Sequence, residues 1–170
     1  MWFGLGLILS LVGDVLLMLP ERYFLLGLVS FLSAHLLYII GLRSIYVSLQ
    51  PVYLLVFAVV FTAIVLYLRV VLRAISRKST GEKMRIPVML YGIVIGSMLF
   101  SAVLTLFQPA WTAYSAGLVA IGALSFCVSD SLLAYNRFVA SFANADFWVM
   151  LTYLSGQIAI TAGALFHFCG

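Results

Sequence analysis

Asp14 and Asp130 are the residues of this chain whose type and placement most directly imply chemistry. Each stands inside a long apolar run. A carboxyl group at mid-membrane costs about 2.5–3.5 kcal/mol on insertion scales, so two in one small protein require a reason. Two close carboxyls in a medium of low dielectric cannot both ionise cheaply. One proton is then shared, and the pair presents an acid and a base together. That is what an acid/base hydrolase requires. The same residues also suit a proton or ion path through a carrier, or a protonated pair that packs two helices. The residues alone leave all three readings open.

The elements that hold these aspartates follow from composition. Of 170 residues, 65% are hydrophobic and 8% charged, against roughly 25% charged in soluble domains. Five acids and nine bases cannot cover the surface of a soluble fold of this length. Apolar stretches of about 18 residues or more recur along the chain, each long enough for a hydrocarbon core of about 30 Å. Backbone groups in lipid must be satisfied internally, and runs that do not alternate exclude a barrel. The expected fold is therefore all-α, a single polytopic bundle over residues 1–170. Six helices are expected, at about 2–20, 23–42, 51–72, 86–107, 110–134 and 146–168. Pro20, Pro51, Pro87 and Pro109 fall at the edges of these runs, where proline is tolerated. The first run lacks a basic leader and a small-residue cleavage pattern, so it is read as a span. The third is the plainest and is expected to face lipid. Cys127 and Cys169 have no paired spacing and read as small hydrophobes.

Charge gives the orientation. With six spans, the 1–2, 3–4 and 5–6 connections share a side. They carry Arg22, Arg69, Arg73, Arg77, Lys78, Lys83, Arg85 and Arg137, while the opposite side carries Arg43. The positive-inside rule makes the basic side cytoplasmic and puts both termini outside. A multi-pass protein of a bacterial-type inner membrane is expected. Asp14 lies six residues before Pro20 and Asp130 seven before Arg137, so both sit about 9–10 Å beneath the basic face. Their helices run in the same direction. The surroundings also rhyme: Gly6, Val12, Asp14, Leu16 and Leu17 answer Gly122, Val128, Asp130, Leu132 and Leu133. This suggests a parallel repeat with one aspartate from each half at a common interface. Tyr91 and Tyr153 reach the same layer, whereas Gln157 and His35 come out deeper. Tyrosine or glutamine there could hydrogen-bond a carboxyl and set which aspartate keeps its proton.

Other chemistry is weaker. His35, His167, Asp14 and Asp130 lack metal-type spacing, and His167 falls on the far side of the membrane. No serine stands in a nucleophile elbow, and neither a phosphate loop nor a nucleic-acid signature occurs.

The same residues resemble the YhhN family, whose characterised members are lysoplasmalogenases. The resemblance covers nearly the whole chain. It rests on Ser10 through Gly13-Asp14 and Leu17, on Phe24 through Gly27, Phe31 and His35 with Tyr38, and on Gly122 through Ser129-Asp130, Ala134 and Arg137-Phe138. Tyr153 and Gln157 look like the family's polar pair in the last span. The family pattern usually has eight spans, and this chain begins at the Gly-Asp helix. The resemblance implies hydrolysis of the vinyl ether of a lysoplasmalogen, giving a fatty aldehyde and glycerophosphoethanolamine or glycerophosphocholine. Asp14 and Asp130 would be acid and base, in an order the sequence does not give. His35, Tyr38, Tyr91, Ser129, Arg137, Tyr153 and Gln157 would bind substrate or support them. No metal or other cofactor is implied. The partners would be the lysophospholipid substrate and membrane lipids, with no nucleic acid. A small proton-coupled transporter and a noncatalytic lipid-binding protein are the competing classes.

Overall fold

The computed structural model describes residues 1–42, 50–77 and 82–169. Arg43 and Lys78, both used above for orientation, lie outside the described residues. The described chain forms six helices: α1 (Trp2–Met18), α2 (Phe24–Leu42), α3 (Pro51–Ser76), α4 (Glu82–Leu104), α5 (Ala113–Ala134) and α6 (Ala145–Phe168). With their flanking turns, five are long and apolar enough to cross a membrane, and α1 is a shorter apolar helix of 17 residues. At 1.5 Å per residue α1 is about 25 Å long, at the lower limit for a span. The chain is a polytopic helical membrane protein.

Local chemistry explains where the boundaries depart from expectation. α1 stops at Met18 because Leu19 and Pro20 turn extended. α3 runs one turn past the expected end and carries Arg69 and Arg73 within it. Bases near a helix C-terminus suit the macrodipole. Pro87 does not mark an edge: α4 begins at Glu82, and Pro87 lies inside its second turn. The turn before it is largely exposed, so the carbonyl that a proline leaves without its helical partner can be solvated there. α5 is capped by Thr112, whose hydroxyl accepts from the Ser115 N–H at 3.2 Å. It then continues through a π-turn at Tyr135–Val139.

The helices pack as hairpins, α1 on α2, α3 on α4 and α5 on α6. α2 meets α4, and α4 meets α5, so α4 is the central element. α3 is the least buried of the five long spans and faces outward over most of its length. The α5–α6 pair is the tightest. A Cβ on Gly122 would stand 2.7 Å from the Ile160 nitrogen, and one on Gly163 would stand 2.7 Å from the Ser115 carbonyl. Small residues at such points let backbones approach where lipid offers no hydrophobic drive to associate. Ser129, buried in the same seam, donates to the Val149 carbonyl at 2.9 Å and pins α5 to α6.

Gly122→Val is expected to destabilise the fold by about 1–3 kcal/mol, because the clash is with backbone. Gly117→Ala meets nothing within 4 Å and is expected to be neutral. Thermal unfolding of both variants in detergent separates the two outcomes.

Candidate active site

Asp14 and Asp130 occupy corresponding places in the first and last hairpins, on α1 and α5. These two helices are not laid directly against each other. Side chains from α2 and α6 bridge them, and they do so crosswise. Asp130 is served from α2 by His35 and from α4 by Tyr91. Asp14 is served from α6 by Tyr153.

The Asp130 cluster is the more enclosed. Tyr91 donates its hydroxyl proton to Asp130 Oδ2. His35 Nε2 lies 3.4 Å from the same oxygen and 3.3 Å from the Tyr91 oxygen. Where Asp130 is ionised and takes the tyrosine proton, the imidazole contact is a donation from Nε2; the donor role follows the tautomer. His35 Nδ1 has no hydrogen-bond partner among the described residues. The His35 side chain is 0% exposed and that of Asp130 14%. Phe126 stands edge-on to the imidazole, with ring centroids 4.7 Å apart, and holds its plane.

The Asp14 cluster is a chain. Tyr153 donates to Asp14 Oδ2 at 2.8 Å, Gln157 Nε2 donates to the Tyr153 oxygen at 3.3 Å, and Tyr38 donates to Gln157 Oε1 at 2.7 Å. The amide of Gln157 thus uses both ends, which fixes its orientation. Tyr38 closes the chain beneath Phe3, whose ring stacks on it at 5.8 Å. The two clusters touch through aromatic rings. Tyr153 packs against Phe31 and Phe126 at centroid distances of 5.9 and 5.2 Å, and Phe126 also contacts His35. Each Oδ2 is therefore taken by its own tyrosine, not by the other carboxyl.

Most of the expected residues are brought together. His35 is not deeper than the aspartates, as helix counting had placed it, but bonded to one of them. The count ran at α-helical rise from Arg22 and Arg137 as markers of the basic face, and these stand in a 3₁₀ turn and a π-turn, whose rise per residue differs. Gln157 does sit one turn beyond Tyr153. Ser129 faces α6 through its bond to Val149 and makes no hydrogen bond to either aspartate. Arg137 stays at the basic end, with its guanidinium 3.8 Å over the Phe24 ring and 3.6 Å from Glu21 Oε1. Phe24, the ring beneath that guanidinium, and Phe138 line a small cavity of about 50 Å³ that also reaches Tyr91 and Asp130.

One functional candidate escaped sequence reading. Tyr67, on the helix expected to face lipid, turns inward and donates to the Ser131 carbonyl, next to Asp130. The signal available was a single tyrosine hydroxyl in an otherwise apolar span.

Two carboxyls, each bonded by a tyrosine from another helix, give this polytopic membrane protein a built polar site between its helices. Comparison with known proteins gives it a family. The YhhN family model matches residues 1–164, and the chain belongs to that family. It is 32% identical over 160 residues to the human protein named lysoplasmalogenase TMEM86B, covering 94% of this chain and 62% of that one. It is 30% identical over 178 residues to a Mycobacterium bovis lysoplasmalogenase, covering 97% and 60%. A Dictyostelium discoideum lysoplasmalogenase homolog is 28% identical over 187 residues, covering 99% and 61%. The chain thus spans about three fifths of the length of these relatives. No solved structure matches it significantly.

Tyr38→Phe is expected to cost about 1–3 kcal/mol, because it strands the buried Gln157 Oε1. A Tyr38→Phe/Gln157→Leu double-mutant cycle should show a coupling of about 0.5–3 kcal/mol. Thermal unfolding in detergent measures both.

Proposed function

We propose that this chain carries the hydrolase site of a lysoplasmalogenase, which cleaves the vinyl ether of a lysoplasmalogen to a fatty aldehyde and glycerophosphoethanolamine or glycerophosphocholine. The observation that carries this reading is the pair of aspartates, each hydrogen-bonded by a tyrosine from a different helix. The names of the relatives agree with it.

Vinyl ether hydrolysis needs one acid and one base. A proton is delivered to the alkene carbon distal to oxygen, and the adjacent carbon becomes an oxocarbenium ion. Water attacks that ion, a hemiacetal forms, and it collapses to aldehyde and alcohol. The hydrogen-bond pattern supports one division of the roles. Asp130 receives Tyr91 and His35 on one oxygen, a doubly satisfied carboxylate suited to stabilise the cation and to take a proton from the attacking water. Asp14 receives one donor, leaving its second oxygen to hold the proton that is delivered. Proton transfer by a positioned carboxyl contributes about 10²–10⁴-fold. The chemistry itself calls for no metal or redox cofactor.

The headgroup would lie at the basic end, where Arg137, over the Phe24 ring that lines the Asp130 cavity, and Arg22 can meet phosphate in charge-assisted bonds. With the basic connections cytoplasmic, the site lies nearer the cytoplasmic face. A proton-coupled carrier would need a polar path onward to the opposite face. Among the described residues the Asp14 chain runs to Tyr38, which lies under the ring of Phe3 with Ser10 beside it, and this enclosure supports a hydrolase.

Purified protein incubated with lysoplasmalogen should release aldehyde, and Asp14→Asn and Asp130→Asn should each lower the rate by about 10²–10⁴-fold. Unchanged release by either variant removes that aspartate from the mechanism. Absence of release by the unaltered chain on any vinyl ether lipid sets the hydrolase reading aside. Tyr91→Phe should lower kcat more than it raises KM, since it strips a donor from the base without touching the tail or headgroup.

A further inference from the structure

We infer that the furrow between α3 and α5, floored by α4, is the binding groove for the single hydrocarbon chain of the lipid, and that Tyr67 marks where that chain passes to Asp130. The identity of the ligand rests on the hydrolase reading. The groove itself does not.

The geometry is specific. α3 joins α4 along its length and is tied to the π-turn after α5 at the basic end, but it splays from α5 above that point. The resulting furrow has a volume of about 820 Å³, within the range of roughly 300–1,000 Å³ typical of small-molecule sites. It follows α3 from Leu55 to Tyr67, twelve residues, or about 18 Å, a length suited to an extended long-chain alkyl group. It is open along its side, so a lipid could enter laterally.

The polarity is graded. The far end is walled by aliphatic residues such as Leu55, Val59 and Ala120, while Tyr67, Ser131 and Tyr135 stand at the end nearest the basic face. Tyr67 is spent on the Ser131 carbonyl, and the Ser131 hydroxyl on the Cys127 carbonyl at 2.8 Å. Neither needs a partner from the occupant, as an alkyl chain requires. Beyond this end the groove abuts a second cavity of about 50 Å³, which shares Ile64, Tyr67, Cys127 and Ser131 with it and contains Asp130 and Tyr91. An apolar furrow that runs into a carboxylate fits a ligand with an alkyl tail and its reacting bond at the tail's head. A packed helix is the poorer occupant, because the α3 wall presents Leu55, Val56, Val59, Val60 and Ile64, with Ala63 as its one small residue, where close helix packing favours several.

The test uses the whole chain in detergent and a saturated 1-O-alkyl lysophosphocholine with a diazirine at its chain terminus, which vinyl ether chemistry cannot cleave. Light-induced adducts are expected on α3 near Leu55–Val60 and on α5 near Ala120, and excess unmodified saturated ether lysolipid should displace them. Ala120→Trp should block the far end and move the chain-length preference for binding toward shorter chains, by about tenfold for each two methylenes excluded. Ile8→Trp, on the exposed face of α1, should leave it unchanged. Adducts confined to the outer faces of α1 and α6, or not displaced by competitor, overturn the inference, as does a Val59→Cys variant that crosslinks into dimers without taking label. Competable labelling in the furrow without aldehyde release would defeat the hydrolase reading and keep the groove. Aldehyde release with labelling elsewhere and an unmoved chain preference would defeat the groove alone.

Discussion

A carboxyl group set among packed apolar helices must receive its hydrogen bonds from neighbouring helices, and the rest of this structure depends on how that demand is met. Asp14, in the first hairpin, is bonded by Tyr153 of the last. Asp130, in the last hairpin, is bonded by His35 of the first, with Tyr91 of the central helix completing it. Each aspartate thus relies on the opposite hairpin. The α5–α6 seam, closed by Gly122 and Gly163, holds Tyr153 in place, while the tyrosine and histidine rings meet across Phe126. Packing and chemistry share the same residues here.

The crosswise arrangement gives the rhyme between Gly6-to-Asp14 and Gly122-to-Asp130 a structural counterpart. Both glycines sit where a Cβ would collide with the partner helix of their own hairpin, Gly6 against the Tyr38 ring and Gly122 against Ile160. Both aspartates stand eight residues on, facing the other hairpin. The resemblance stops at the donors: a histidine and a tyrosine meet one carboxylate, and a single tyrosine the other. That difference allows two like residues to take unlike roles.

Much of the fold was legible because a bilayer imposes long apolar runs. All six helices fall where those runs fall, and each aspartate meets a tyrosine that rise counting had put near its own level, Asp14 with Tyr153 and Asp130 with Tyr91. What escaped depends on details that hydropathy does not carry. Counting from Arg22 and Arg137 misplaced His35 relative to the Asp130 it meets, because both arginines stand in non-α turns, the latter in the π-turn Tyr135–Val139. Pro87 proved to be internal because α4 starts a turn early, on the polar residues Glu82 and Lys83. Tyr67 could not be given a partner from the sequence, because one hydroxyl in an apolar span does not say which helix it meets. Ser129 looked like part of the site because it adjoins Asp130, yet adjacent residues on a helix point in different directions, and its hydroxyl binds α6.

The central claim is that an enzymic acid protonates a vinyl ether carbon beside a second carboxylate. Hydrolysis of a lysoplasmalogen in D₂O, with the aldehyde trapped at once by reduction, tests it directly. The account predicts a single deuterium on the carbon next to the former carbonyl, in one configuration, because Asp14 delivers it from one face. Aldehyde without that deuterium, or with it on both faces equally, would contradict it.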